Sequence, residues 1–567
     1  MTVYKNASAF IDILNAHGVD KVFLNAGGEL ASIQSYVAKA RVEGRQAPQL
    51  VLCLDESVAA SAAYGNYMVS GKPQVVMAHA ELGLLQMGGN LQSLQWGRIP
   101  ALILTGYDPN DVKRTLWNGQ QHNQGNIVRH VVKYDYCLKG DEDLHEVLGE
   151  AFRIACTEPT GPVYITFPMP YFGKEVEKPA ATPAPVKPER LPAADRATLE
   201  NIADTLLAAQ HPLLISGFAG RYHENVGALV TLAETLGATA ITGYSWMNFP
   251  NDHPLCAGIE QIGGSRKAQL DHDEADVVLV VDYDVPYVGG PPRYGSDVKI
   301  LQIDVDPLTQ GRLLWGRGAD VFLKADAREA VPALIQILKG KITPEKRAAL
   351  DKRAAQIAAH NEEMRRVWYD TAKNLSAQDP ISPDYLCHCL NQLIDEETIV
   401  VNHTLAQCAS VTEQVVRTKP GTWFGCPSGG IGWAPGAALG AASAAPGKTV
   451  VAVMTDGGFV WGCPTSTLWT AANYRFPFLA IVCNNEGYGA IRDIEKSVLG
   501  DNNLSDPFFA EAAVDFQPDY ALIAQGAGAF GRKVTKSDEV LPALREALAA
   551  VRGGKPAVLD VYLPKHI

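Results

Sequence analysis

Short apolar runs alternate with longer amphipathic stretches along most of the chain. From Ala7 to about Phe167 a helical pattern is followed by the strand patterns KVFLNA, QLVLCL, PQVVMAH and PALILTG, separated by helices and closed by PVYITF. Continuous apolar runs of this kind, each followed by a helical period, predict buried strands of parallel sheets. KPAATPAPVKPERLPAAD comes next, and its Pro and Ala content predicts an extended linker. A second set follows with PLLISG, ATAITG, ADVVLVVDYD and VKILQIDVD, and then a charged helical connector, ITPEKRAALDKRAAQIAAHNEEMRRVWYDTAKN. A third set contains ETIVVNH, TWFGC, TVVAVMTDGGF, FPFLAIVCNN and PAVLDVYL. The pattern predicts an α/β protein of three doubly wound parallel-sheet domains: 1–175, a central domain 190–340, a helical linker 341–382, and 383–567. The first and third sets match in size and layout, with a different unit between them.

Length agrees, since 567 residues exceed what one core organises. Net charge is −13 with no sustained Lys/Arg run, which argues against nucleic acid and anionic membranes as partners. No apolar run is long enough to span a bilayer, and MTVYKNASAFIDIL lacks the pattern of a secretory leader. The ten cysteines show no framework spacing, so reduced thiols and a cytoplasmic location are expected. Cys387 and Cys389 in LCHCL read as packed thiols. DHDEAD, before VVLVVDYD, reads as a solvated helix end.

Candidate chemistry concentrates at the ends of two apolar strands. VVAVMTDGGF stops at Asp456 and turns through Gly457 and Gly458. A carboxylate at the end of a buried strand needs a partner. About one βαβ unit later, FPFLAIVCNNEGYG ends in Asn484, Asn485 and Gly487. Parallel strands deliver their C-terminal ends to one edge, so Asp456, the Asn485 side chain and a carbonyl near Gly487 can converge. Three oxygens carrying one charge suit Mg²⁺ that also takes phosphate oxygens and water. The glycines admit a phosphate at the start of the next helix. DGG alone is a turn; DGG followed by NNxGYG, each after a strand, is far more specific. Elsewhere Glu56, in LDESVAASAAYG, follows a buried strand, and in isolation it reads as an acid at a helix N-terminus.

TDGGF and CNNEGYG, within PSGGIGWAPGAALGAASAAPGKTVVAVMTDGGF…LWTAANYRFPFLAIVCNNEGYGAIRD, resemble the paired motif of thiamine diphosphate (ThDP) enzymes, of the benzoylformate decarboxylase and acetolactate synthase kind. The resemblance covers essentially the whole chain. It implies the domain order pyrimidine-binding, central, diphosphate-binding, with Mg²⁺ ligands at Asp456, Asn485 and the Gly487 carbonyl. Gly457, Gly458 and Tyr488 would contact phosphate. Gly429 would accept from the cofactor's 4′-amino group, and Ile431 would wedge the cofactor into its bent shape. Glu56 would hydrogen-bond the pyrimidine N1′ and favour the imino tautomer. The family's motif begins with Gly, where this chain has Thr455. A β-branched residue resists positive φ, so either the turn differs or that glycine is dispensable.

The resemblance also places His79, in VVMAHAELG, as an active-site proton donor or relay. It puts Asn25 and Gly28, in LNAGGEL, beside the substrate, with Gly28 standing where the decarboxylase has Ser. Gln120, Gln121, Ala490, Ile491 and Ile494 would line the pocket. In VVNHTLAQ, Leu405 and Ala406 occupy places where some relatives use Ser or Thr, leaving backbone amides or the Thr404 hydroxyl for the phosphate. The implied activity is a ThDP- and Mg²⁺-dependent C–C lyase or carboligase acting on a 2-oxo acid through a thiazolium-bound enamine. A 2-hydroxyacyl-CoA lyase is the first alternative. A ThDP-binding regulator without turnover is the second, and the presence of Glu56 argues against it. The central domain resembles one that holds FAD or a nucleotide such as ADP or CoA in some relatives, but its SGFAG reads better as packing. A homodimer or homotetramer with active sites between subunits is expected.

Overall fold

In the computed structural model, residues 4–108, 123–181, 184–185, 187–260, 274–283, 297–306, 318–491 and 517–565 are described. They form three six-stranded sheets in which every pairing is parallel. The first contains β1 (Lys21–Leu24), β2 (Gln49–Leu52), β3 (Gln74–Ala78), β4 (Ala101–Tyr107), β5 (Tyr134–Cys137) and β6 (Val163–Pro168). The second contains β7 (Pro212–Ser216), β8 (Thr239–Gly243), β9 (Cys256–Glu260), β10 (Val277–Val281), β11 (Lys299–Asp304) and β12 (Val321–Lys324). The third contains β13 (Ile399–His403), β14 (Trp423–Gly425), β15 (Val450–Thr455), β16 (Leu479–Asn484), β17 (Phe530–Val534) and β18 (Ala557–Tyr562).

The first sheet runs β2-β1-β3-β4-β6-β5 and the third β14-β13-β15-β16-β18-β17, which is the same order. The middle sheet, β12-β11-β10-β7-β8-β9, is wound differently and reverses between β7 and β10. Thus one architecture is used twice around another.

The two matching sheets are joined through equivalent helices. Glu56–Ser70 follows β2, Trp433–Ala444 follows β14, and both are rich in Ala and Gly. Small side chains let the helices approach backbone to backbone. A Cβ on Gly65 would collide with the Ala437 carbonyl, and one on Gly440 with the Ala62 carbonyl. Tyr64 meets Trp433 edge-on at 5.1 Å, and Asn66 Nδ2 donates to Ser443 Oγ at 2.8 Å. A single apolar core consequently runs from Val51 and Val58 through Ala437 to Val450 and Phe478.

The middle sheet is held to the first by buried ion pairs. Arg98 Nη1 donates to Asp282 at 2.6 Å, Arg221 bridges Asp282 and Glu158, and Tyr222 donates to Glu158 at 2.7 Å. Burial opposes the charge on Glu158, but Arg221 outweighs it and holds the carboxyl down to about 2. Gly217 of SGFAG packs under the Tyr283 ring and Gly220 against the Met247 carbonyl, so these glycines serve packing. In DHDEAD, Asp276 accepts from the backbone of Gln210 and His211; residues 271–273 lie outside the described part.

The charged connector is one helix, Pro344–Asn374, capped by Thr343. It is less detached than a solvated spacer. Arg353 donates to the carbonyls of Ala209, Leu236 and Gly237, satisfying orphan groups at the ends of two central-domain helices. No helix among the described residues is long and apolar enough to cross a membrane. No disulfide joins any of the cysteines among the described residues, and Cys387 and Cys389 are buried in the helix Pro383–Asn391.

Candidate active site

β15 and β16 are neighbours, with Thr455 opposite Cys483, so Asp456 and Asn485 leave the third sheet side by side at its C-terminal edge. Both side chains are buried. Asp456 Oδ1 accepts from the Gly457 amide at 2.8 Å, and amides of Glu486 and Gly487 also support this carboxylate. Yet Asp456 Oδ2 and Asn485 Oδ1 have no hydrogen-bond partner among the described residues. Burial pushes the Asp456 carboxyl up to about 6, against the pull of those amides. Two adjacent unpartnered oxygens, one from a carboxylate, fit a hard divalent cation.

Gly457 and Gly458 lie in the first turn of the helix Asp456–Trp461 rather than in a loop. In front of Gly457 an added Cβ would meet only the Tyr488 ring, at 3.8 Å, which leaves a cradle beside a helix start. Thr455 needs no positive φ: it is extended at −77°, 163° and its hydroxyl accepts from the Gly458 amide at 3.0 Å. The side chain caps the helix, so the threonine is accommodated without strain. In the neighbouring loop, Leu405 is exposed, while the Thr404 hydroxyl donates inward to Asn402 Oδ1 at 2.8 Å. His403 ends β13 fully buried, edge-on to Trp433, with Nδ1 unpartnered; burial alone lowers it to about 4. Gly429 adopts φ +62° with open space around it, and Ile431 beside it is 44 % exposed.

At the matching edge of the first sheet stand Glu56, after β2, and His79, after β3. Asp55, not Glu56, caps the helix, accepting from the Ser57 amide at 2.8 Å. Glu56 is 7 % exposed, and its carboxylate has no hydrogen-bond partner among the described residues. Gly83 makes room for it: a Cβ there would lie 2.6 Å from Glu56 Oε1. An unpaired buried carboxyl is costly unless a ligand supplies the donor.

His79 holds a contact not foreseen from sequence. Its Nδ1 lies 2.9 and 3.0 Å from the two oxygens of Glu29, which also accepts from the Ala80 amide at 2.8 Å. Glu29 is buried under Gly27 and Gly106, where a Cβ would collide with its side chain. LNAGGEL drew attention to Gly28, but Gly28 is exposed and open, and Gly27 is the glycine the packing requires. With Glu29 accepting at Nδ1, the imidazole leaves Nε2 free.

Family models match residues 5–129 (thiamine pyrophosphate enzyme, N-terminal TPP binding domain), 199–334 (central domain) and 406–561 (C-terminal TPP binding domain). The chain belongs to the thiamine pyrophosphate enzyme family. The sulfoacetaldehyde acetyltransferase of Rhodobacter capsulatus is 25 % identical, over 99 % of this chain and 94 % of that protein. Acetolactate synthase 1 of Zea mays is 25 % identical, over 99 % of this chain and 85 % of that protein. The solved thiamine diphosphate-dependent 4-hydroxybenzoylformate decarboxylase of Rhodococcus jostii has the same fold, with TM-score 0.81 at 20 % identity and 99 % coverage of both chains.

In this thiamine pyrophosphate enzyme the remaining foreseen residues are placed as follows. Asn25 is half-buried after β1, Ala490 half-buried, and Tyr488 and Ile491 exposed just beyond the Asn485 turn. Gln120, Gln121 and Ile494 lie outside the described residues. Each group of residues is assembled at its own sheet edge; no described hydrogen bond or ion pair joins Glu56 to Asp456 or Asn485 within one chain.

Proposed function

We propose that this enzyme binds thiamine diphosphate with Mg²⁺ and makes or breaks a C–C bond next to the carbonyl of a 2-oxo acid, as a lyase or carboligase. The reading is carried by the pair of buried, unpartnered oxygens on Asp456 and Asn485 at adjacent strand ends. These two and the Gly487 carbonyl would hold the metal. The amides of Gly457 and Gly458, with Tyr488, would hold the diphosphate. Gly429 and Ile431 would seat the ring system. When bound, the cofactor would supply a nucleophilic ring carbon for addition to a carbonyl and an electron sink for the bond that breaks.

The chain's own groups do the rest. Glu56, buried beside Gly83, would hydrogen-bond the pyrimidine N1′ and orient that ring. His79, fixed through Nδ1 by Glu29, would give or take a proton at a substrate oxygen or carbon through Nε2. Asn25, Gly28, Ala490 and Ile491 would border the substrate, with Gly28 contributing no hydroxyl.

We infer further that the working unit is a homodimer or homotetramer with sites between subunits. Leu82, Leu85, Leu405, Ile431, Trp461 and Ile491 all follow C-terminal strand ends and are exposed in the single chain. Apolar side chains gathered on the catalytic edges support a covering partner there. Cysteines without disulfide pairing among the described residues support a cytoplasmic setting. We assign the pyrimidine-binding domain to 1–175, the central domain to 190–340 and the diphosphate-binding domain to 383–567, with the helical linker between the last two.

The test is calorimetric titration of thiamine diphosphate with and without Mg²⁺, followed by a screen of 2-oxo acids for CO₂ and for coupled products. Mg²⁺-dependent binding and turnover of at least one 2-oxo acid are expected. Binding indifferent to the metal would overturn the site, and turnover of acyl-CoA donors alone would overturn the substrate class.

A further inference from the structure

Asp560 lies on β18, beside β16, with no exposed surface. Its Oδ1 accepts from Asn484 Nδ2 at 2.9 Å, and its Oδ2 has no partner among the described residues. A fully buried carboxyl with one neutral donor is a net cost to the fold, and burial pushes this one up to about 6. An apolar residue of similar size would pack there without that cost. Asp560 must therefore serve something other than stability.

What it touches is the last residue of β16. With Nδ2 held by Asp560, Asn484 turns Oδ1 toward the following loop, where it accepts from the Glu486 amide at 3.1 Å. Glu486 takes a left-handed φ of +55°, uncommon for a residue with a side chain. Asn485 enters that turn between Asn484 and Glu486 and presents its unpartnered oxygen beside the unpartnered Oδ2 of Asp456. The turn depends on which way the Asn484 amide faces. Flipped, its NH₂ would oppose the Glu486 N–H. An acceptor on β18 removes that choice.

We propose that Asp560 is a positioning residue for the metal loop: by fixing the Asn484 amide it sets the turn that presents Asn485 and Gly487 to the divalent cation. This rests on the Mg²⁺–diphosphate reading above. Outer partners that orient ligands typically change metal affinity about 10- to 100-fold when lost.

The experiment uses the full-length protein, with Mn²⁺ as the probe, titrated by electron paramagnetic resonance in the presence of thiamine diphosphate. Thermal midpoints are read in parallel on cofactor-free protein. Asp560→Leu should weaken Mn²⁺ binding roughly 10- to 100-fold while the midpoint holds or rises. Asp560→Asn, with its side-chain oxygen toward Asn484, should restore most of the affinity. Should the leucine variant fail to fold, Asp560→Ala is read in the same way. Unchanged Mn²⁺ affinity in the leucine or alanine variant, or equal loss in the asparagine and leucine variants, overturns the role of Asp560. Wild-type protein that takes up no Mn²⁺ overturns the metal reading itself.

Discussion

The first and third sheets share one strand order and press equivalent helices together, yet their C-terminal edges carry different chemistry. The first presents Glu29, Glu56 and His79, two carboxyls and an imidazole that can pass protons. The third presents Asp456, Asn485 and a glycine-lined helix start, groups suited to hold an anion and a cation still. The two histidines sharpen the contrast. His79 has a side chain 37 % exposed and paired with a carboxylate. His403 is buried against Trp433 with Nδ1 unpartnered, and burial lowers it to about 4. A common frame fixes where strand ends go; the residue on each end, and what buries it, decides whether that edge grips or exchanges.

If the third edge grips, Asp456→Ala should have the largest effect. Its loss should exceed the roughly 10- to 100-fold typical of outer partners and leave no thiamine diphosphate bound after gel filtration. Retention of the cofactor by the variant would dissolve the distinction between the edges. If the first edge exchanges protons, Glu56→Gln should leave cofactor affinity nearly intact and slow exchange of the cofactor's C2 proton by about 10²- to 10⁴-fold. Exchange in D₂O followed by NMR measures this, and a wild-type rate would remove Glu56 from proton transfer.

Much of this contrast was legible in the chain. The central strands of each sheet are buried on both faces and read as unbroken apolar runs; β3, β10, β15 and β16 are examples. The strands not foreseen are β5, β9, β12 and β17, and every one is a sheet edge. Edge strands are covered on fewer sides, so YDYC and FGRKV carry no apolar run to find. The pairing of Asp456 with Asn485 was legible because each follows the end of an apolar strand, which sequence marks well. Glu29 and Asp560 were not, because each matters through a contact distant in sequence: fifty residues to His79, seventy-six to Asn484. The charged composition of the helical connector hides that Arg353 directs its guanidinium at carbonyls of the central domain.

Next in size is the pH response of the buried imidazole. The folded pKa of His403 is depressed from 6.5 to about 4, so its contribution is present above pH 6.5 and is lost as pH falls through that window. A shift of that size corresponds to about 3 kcal/mol. Urea unfolding of cofactor-free protein should show wild type losing stability relative to His403→Gln between about pH 6.5 and 4. Parallel pH curves for the two proteins would place His403 in a wetter, less one-sided setting. Glu29→Gln should lower activity about 10- to 100-fold, because the His79 ring loses the carboxylate that orients it through Nδ1. The ¹⁵N shifts of His79 should report a weaker preference for the Nδ1–H tautomer, while thiamine diphosphate binding stays as in wild type.

The smallest expected effect bears on the frame. Gly65 faces the Ala437 carbonyl and Gly440 the Ala62 carbonyl, so each helix depends on the other's missing side chain. Gly65→Ala and Gly440→Ala should each cost about 1–3 kcal/mol, because the added methyl meets backbone that cannot swing aside. Gly340→Ala is the control: it lies in the helix Ala327–Lys341 with nothing within 4 Å, and should gain about 0.5–1 kcal/mol. Urea midpoints at constant slope read all three. Matched losses at Gly65 and Gly440 would mean that the two sheets share one cooperative core, as the continuous packing from Val58 to Phe478 requires. A loss at one glycine with none at the other would mean that one helix can shift to relieve the contact, and the symmetry of strand order would then not extend to the joint between the halves.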